Sequence, residues 1–289
     1  MQVAVIGGDK RQVSLCALLA REGHRVRCFA LEKAALPLRA EQAGCLLSCV
    51  YGAEWVLLGI PSEKGGTVFA PLSVQTITME ELLGALWPGQ VLCGGGFSAQ
   101  SSLAAVRGGL RVYDLLRRRD YAVGNAALTA EGALSLLVQN SEESLLGSRV
   151  LVTGWGRIAS LLAPRLRAMG ALVTVAARKA GDRAMAAAQG LDACRFDELE
   201  PLAGELDFVV NTVPAPVLSD ALLTKLRSGT LLLELASSPG FDRDRAQTLG
   251  LRPLYAPGLP GQFAPESAAA LYWDTVGAIL REKEENDGT

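Results

Sequence analysis

A chain of 289 residues is long for one domain and comfortable for two. Apolar residues make up 49% and charged residues 20%, with a formal net charge of −2, so neither a disordered chain nor a nucleic-acid-binding surface is expected. The six cysteines form no CxxC and the only histidine is His24, which is too few soft ligands for a zinc site; most of these cysteines read as small core residues in a reducing compartment.

In chain order, residues 3–6 read as a strand, 13–21 as a helix and 25–31 as a second strand. A signal peptide would open on basic and then apolar residues, and Met1-Gln2-Val3 instead enters a strand pattern, so the cytoplasm is the expected location. A strand at 55–60 is cut off by Pro61. After a short helix at 79–86, a strand at 90–93 ends in the Gly94-Gly95-Gly96 turn. The run Arg117-Arg118-Arg119 is either a solvated helix edge or a grip on an anionic substrate or partner.

Near residue 125 the pattern restarts. Residues 130–138 read as a helix, with Thr129 as N-cap and Glu131 in the first turn. A strand at 149–153, a glycine turn, a helix at 158–169 and a strand at 172–177 follow, with further strands at 207–211, 230–235 and about 252–255. Past the Pro/Gly-rich stretch 256–261, a last helix opens around Pro265, and Leu271, Tyr272, Val276, Ile279 and Leu280 keep helical spacing along it. The tail 282–289 is expected to fray, and no unbroken apolar run approaches the length of about 18 residues that spans a bilayer.

This order predicts an α/β fold of two doubly wound parallel-sheet, Rossmann-like domains with a cleft between them. The expected boundaries are 1–124 for a substrate-side domain, completed by the helix at 264–289, and 125–263 for a nucleotide-binding domain.

The strongest chemical signal is Thr153-Gly154-Trp155-Gly156-Arg157-Ile158-Ala159 between a strand and a helix. Gly154 permits the tight turn, Gly156 lets the backbone approach a pyrophosphate, and Ala159 lets helix and strand pack closely. The phosphates would then lie on the helix N-terminus. At the end of the next strand an NAD site usually presents a carboxylate to the ribose 2′-hydroxyl. Here Arg178 and Lys179 occupy that end and no carboxylate falls between Gly170 and Gly181, which favours the 2′-phosphate of NADP; the alternative is two solvated cations at a strand end.

The first half fails the same template. In Gly7-Gly8-Asp9-Lys10-Arg11-Gln12, Asp9 replaces the second glycine and Gln12 the third, so a pyrophosphate would meet a carboxylate. Asp9, Arg11 and Gln12 are expected either to bind substrate or to stabilise the loop. Chemistry through histidine is poorly supplied: His24 lies in a helix-to-strand turn, away from the strands' carboxyl ends, which weakens a 2-hydroxy-acid dehydrogenase reading.

Several of these stretches together resemble the A subunit of dipicolinate synthase from spore-forming bacteria. They are Ile6-Gly7-Gly8-Asp9 with Arg11-Gln12, Asn125 to Gly132, Gly154-Trp155-Gly156-Arg157, Asn211-Thr212-Val213-Pro214, Leu235-Ala236-Ser237-Ser238-Pro239-Gly240, and Ala256-Pro257-Gly258-Leu259-Pro260-Gly261 with Ala264-Pro265. The opening motif and the last segment are the more specific ones, while the dinucleotide turn is common to many families.

The resemblance implies an NADP-linked oxidation of a dihydrodipicolinate-type cyclic dicarboxylate to dipicolinate in the mother-cell cytoplasm during sporulation. It also implies a partner, the flavoprotein-like B subunit, while it supplies no catalytic base. The expected cofactor residues are Gly154, Trp155, Gly156, Arg157, Ile158, Ala159, Arg178, Lys179, Asn211, Thr212, Val213 and Pro214. For the substrate they are Asp9, Arg11, Gln12, Asn125, Thr129, Ala236, Ser237, Pro257, Gly258, Pro260 and Gly261, with Arg11, Arg157 and the start of the Thr129 helix as anion sites. Two other readings stay open: a non-catalytic nucleotide-binding subunit, or a generic NAD(P)-dependent dehydrogenase of a small hydroxy or amino acid. Each is compatible with a homo-oligomer.

Overall fold

The first strand, β1 (Gln2–Ile6), is an unbroken apolar run after its first residue, buried on both sides as a parallel sheet requires. It leads into α1 (Lys10–Arg21), β2 (Arg25–Phe29), β3 (Ala40–Gln42), α2 (Leu46–Val50) and β4 (Trp55–Leu58). A short hairpin, β5 (Glu63–Lys64) and β6 (Thr67–Val68), precedes α3 (Met79–Gly84), β7 (Val91–Gly94), α4 (Ala99–Arg107), β8 (Arg111–Asp114) and α5 (Arg119–Gln139). The structure is a computed structural model and describes residues 1–287.

The second series begins with β9 (Arg149–Thr153) and α6 (Arg157–Ala168), followed by β10 (Leu172–Ala176), α7 (Ala180–Ala188) and β11 (Asp192–Cys194). It continues through β12 (Phe208–Asn211), α8 (Asp220–Leu223), β13 (Leu231–Glu234), α9 (Arg243–Thr248) and β14 (Arg252–Tyr255), then α10 (Leu259–Phe263) and α11 (Pro265–Asp287). The chain divides into two units, residues 1–125 with 260–289, and residues 126–259.

Each unit holds a six-stranded parallel sheet. The orders are β3-β2-β1-β4-β7-β8 and β11-β10-β9-β12-β13-β14, the same 3-2-1-4-5-6 winding twice. The strand order therefore turns back beside β1 in the first unit and beside β9 in the second, and ligands of such sheets bind outside the strand carboxyl ends at that point.

In the first unit, α11 packs along α1. Its Ala269, Tyr272, Val276 and Ile279 enter one core with Leu15, Leu19, Val26 and Leu115. The Tyr272 hydroxyl donates to the Cys93 carbonyl at 2.9 Å and the Trp273 indole N–H donates to Glu22 at 2.6 Å. Each large apolar side chain so buried contributes about 1.5–3 kcal/mol.

Two expectations need correction. The predicted helix start at Thr129 does not exist, because α5 runs through it from Arg119, and Thr129 is a buried mid-helix residue. Gly124, a glycine inside that helix, is where α11 comes close: a Cβ there would meet Leu271 Cδ1 at 2.6 Å. The tail from 282 is helical rather than irregular as far as Asp287, where α11 ends; residues 288–289 lie outside the described residues. Finally, α5 holds an 18-residue window of mean hydropathy 1.2, apolar enough by length and composition to cross a membrane, although no run of 18 apolar residues occurs. Part of that apolar surface is used inside the protein, where Tyr121, Ala126, Ala130, Ala133 and Leu137 are buried.

Candidate cofactor site

The second unit's turn after β9 joins the strand to α6 through two glycines of different tolerance. Gly154 has φ +83°, and a Cβ on it would press on Val213 at 2.8 Å and on Thr212 Oγ1 at 3.1 Å, so its glycine is required by the fold. Gly156 differs. Its φ of −80° suits any residue, and no protein atom lies within 4 Å of where its Cβ would stand. It is the N-cap of α6 and supplies no side-chain cap, so the first-turn N–H groups have no capping acceptor from it. Ala159 is fully buried, letting helix and strand approach, while Trp155 and Ile158 are partly exposed and Arg157 is exposed. This is a cradle that fits a pyrophosphate.

Arg178 and Lys179 stand in the loop between β10 and α7. Both side chains are exposed, and among the described residues neither makes a hydrogen bond or an ion pair. Arg183, not anticipated from the sequence, holds this loop in place by donating to the Ala177 and Arg178 carbonyls at 2.8 and 2.7 Å. The loop after β10 thus presents two exposed cations whose side chains have no partner among the described residues.

At the ends of the neighbouring strands Thr153, Asn211 and Glu234 stand in register. Thr153 Oγ1 donates to Asn211 Oδ1 at 2.5 Å, and Asn211 Nδ2 donates to Glu234 Oε1 at 2.7 Å. Glu234 also accepts the Ala236 and Gly240 backbone N–H groups at 2.9 and 2.7 Å. Asn211 Nδ2 reaches the Val213 carbonyl at 2.9 Å, and Thr212 Oγ1 donates to the Thr153 carbonyl at 2.6 Å. Burial raises the Glu234 carboxyl above the ordinary range, against its N–H donors.

This corrects two expected contacts. Asn211 is 0% exposed, so it shapes the site from behind and only Thr212, Val213 and Pro214 of that segment reach the surface. Ala236 is likewise buried with its N–H already taken, leaving Ser237 exposed. Glu234 and Thr153 were missed. The available signal was a carboxylate closing the run Leu231-Leu232-Leu233.

The first unit keeps the turn but fills it. Gly8 N–H donates to the Phe69 carbonyl at 2.7 Å, and a Cβ on Gly7 would meet Ala70 and that carbonyl at 3.0 Å, so the segment after β6 lies on the turn. Asp9 caps α1: Arg11 N–H donates to it at 3.0 Å and Gln12 closes a capping box. The Arg11 guanidinium, 3% exposed, pairs with both Asp9 oxygens at 2.9 and 2.8 Å and donates to the Ile60 carbonyl.

Direct substrate contact by Arg11 and Gln12 is therefore not what this geometry offers; both are internal. Gly261 is buried against the same carboxylate, where a Cβ would meet Asp9 Oδ2 at 2.5 Å, and Pro260 is buried beside it. Tyr121 completes the cluster, and burial pushes its hydroxyl up to about 12, against the nearby Arg11. Asn125 is half-buried within α5, whereas Pro257 and Gly258 are exposed.

Two arginines of the run are also engaged. Arg118 pairs with Asp120 at 2.8 Å and with Glu282 at 2.7 Å, and Arg117 lies 3.6 Å from Asp114. His24 packs edge-on against Trp273 with ring centroids 5.1 Å apart.

Residues 2–116 match the family model for the N-terminal domain of the dipicolinate synthase A subunit. Over its full length the chain is 28% identical to the dipicolinate synthase A subunit of Bacillus subtilis (strain 168), covering 98% of that protein. The chain resembles this A subunit from end to end. Crystal structures of dipicolinate synthase A subunits say the same. The one from Bacillus halodurans superposes with a TM-score of 0.82 at 26% identity, covering 96% of this chain and 97% of that one. The one from Bacillus subtilis superposes with a TM-score of 0.81 at 28% identity, covering 99% and 97%.

Residues 112–244 match the model of the D-isomer specific 2-hydroxyacid dehydrogenase, NAD binding domain, so the Gly154–Gly156 turn belongs to a nicotinamide-dinucleotide domain of dehydrogenase type. An L-alanine dehydrogenase shares the fold, with a TM-score of 0.64 at 14% identity over 97% of this chain and 89% of that one.

Proposed function

We propose that this chain is an NADP-dependent oxidoreductase that serves as the A subunit of a dipicolinate synthase, oxidising a dihydrodipicolinate-type cyclic dicarboxylate to dipicolinate during sporulation. The observation that carries the cofactor reading is the open Cβ position at Gly156 on the uncapped start of α6, one strand away from the unpaired Arg178 and Lys179. The substrate class rests on the full-length similarity to the Bacillus subtilis protein.

NADP would supply a hydride acceptor. The chain's own part is to hold it: first-turn N–H groups of α6 and Arg157 for the phosphates, and Arg178 and Lys179 for the 2′-phosphate. Thr212, Val213, Pro214 and Ser237 offer surface at the carboxyl ends of β12 and β13, and Pro257 and Gly258 past the end of β14. Removing a hydride from one ring atom of the substrate and a proton from its neighbour leaves an aromatic pyridine, so the reaction has a strong intrinsic drive. That suits a site whose only histidine is engaged elsewhere. A flavoprotein-like B subunit is the proposed partner and the mother-cell cytoplasm the proposed location.

The test is to follow nicotinamide reduction by the full chain with NADP⁺ and a dihydrodipicolinate, alone and with the B subunit. NADPH and dipicolinate formed in equal amounts support the proposal. Reduction with a simple 2-hydroxy acid but not with the dihydropyridine would replace it with a generic dehydrogenase.

A further inference from the structure

The second sheet consists of two halves that meet where the strand order turns back. One half, β9 to β11, carries the glycine turn and Arg178; the other, β12 to β14, carries the segments 212–214 and 235–240. A dinucleotide has two ends and such a sheet has one half for each. Thr153, Asn211 and Glu234 end β9, β12 and β13, neighbouring strands across that junction, and their side chains form one buried line.

A buried carboxylate without a cation is costly unless its hydrogen bonds are complete. Glu234 is 3% exposed, has no cationic partner among the described residues, and receives three N–H donors. Two of them are backbone groups that bracket the loop 236–240. A glutamine could accept with one oxygen only and would turn its own N–H₂ toward the other donor. Gly240 fits this arrangement, since a Cβ on it would collide with Asn211 Nδ2.

We propose that Glu234 is a positioning residue: through Asn211 and the backbone of 236–240 it fixes the half of the site that receives the nicotinamide end of the dinucleotide. The adenosine end is left to the glycine turn and Arg178. This rests on reading the second unit as the NADP site.

The full chain is titrated with NADP⁺ and, separately, with adenosine 2′,5′-bisphosphate, which carries the adenosine end alone. Glu234→Gln should weaken NADP⁺ about tenfold while changing the bisphosphate by less than about twofold. Gly240→Ala, which disturbs the same amide and leaves the carboxylate in place, should give the same split and decides the matter if Glu234→Gln does not fold. Equal losses for both ligands, or no loss for either, would overturn the positioning role. A wild-type chain that binds neither ligand would overturn the cofactor reading itself, a separate result.

Discussion

Gly154 and Gly156 sit two residues apart in one turn, and the structure assigns them opposite tolerances. Gly156→Val adds a side chain into open space at an ordinary φ of −80°, so the folded state should accept it. Valine is a poor N-cap where glycine is a fair one, a cost of about 1 kcal/mol. For a chain of this size that lowers the melting temperature by only about 2–4 °C. The same Cβ and its methyls would occupy the space in front of the first-turn N–H groups. Losing one charge-assisted hydrogen bond to phosphate costs about 1.5–3 kcal/mol, or roughly a 10- to 150-fold loss of NADP⁺ affinity. Gly154→Ala should do the reverse, since φ +83° and the 2.8 Å approach to Val213 place strain on the fold itself. Thermal melting and ligand titration of both variants, measured together, separate the two. Near-normal NADP⁺ affinity in Gly156→Val would refute the claim that this turn receives the pyrophosphate.

Arg178→Asp should weaken NADP⁺ by about tenfold or more and leave NAD⁺ nearly unchanged; equal losses would remove the 2′-phosphate role. Arg11→Ala should act on stability, because it strands the partly buried Asp9 carboxylate, at about 3 kcal/mol or more. A variant that melts normally but needs far more substrate would show that Arg11 serves a ligand after all. Thiol labelling of the native chain at neutral pH should show one fast cysteine, Cys45, which is exposed and whose thiol the Ser48 hydroxyl holds below its usual pKa. Cys93, pushed up to about 12 by burial, should stay protected until the chain unfolds, and fast labelling of it would contradict the packing of β7.

The central strands were legible because each is a largely buried apolar run, whereas the edge strands β3, β8 and β11, short and half-exposed, were not read; the glycine turn was legible because its spacing follows phosphate chemistry. The start at Thr129 misled because Thr followed by Glu mimics a cap, whereas a helix crossing Gly124 loses only about 1 kcal/mol by it and gains the approach of Leu271. Polar residues at strand ends were the hardest to read. Arg11, Asn211, Glu234 and Arg178 all stand where an open sheet binds its ligands, and nothing local says which of them face inward. What separates them is whether their partners are already present. Arg11 is claimed by Asp9, which is itself covered by Gly261 from the far end of the chain, and Glu234 is claimed by Asn211 and by two backbone groups beyond its own strand. Among the described residues the Arg178 side chain has no such claim on it. Under the proposed function it is therefore Arg178, on a loop that Arg183 fixes, and not the motif residue Arg11, that still has a hydrogen-bonding fork to offer a phosphate.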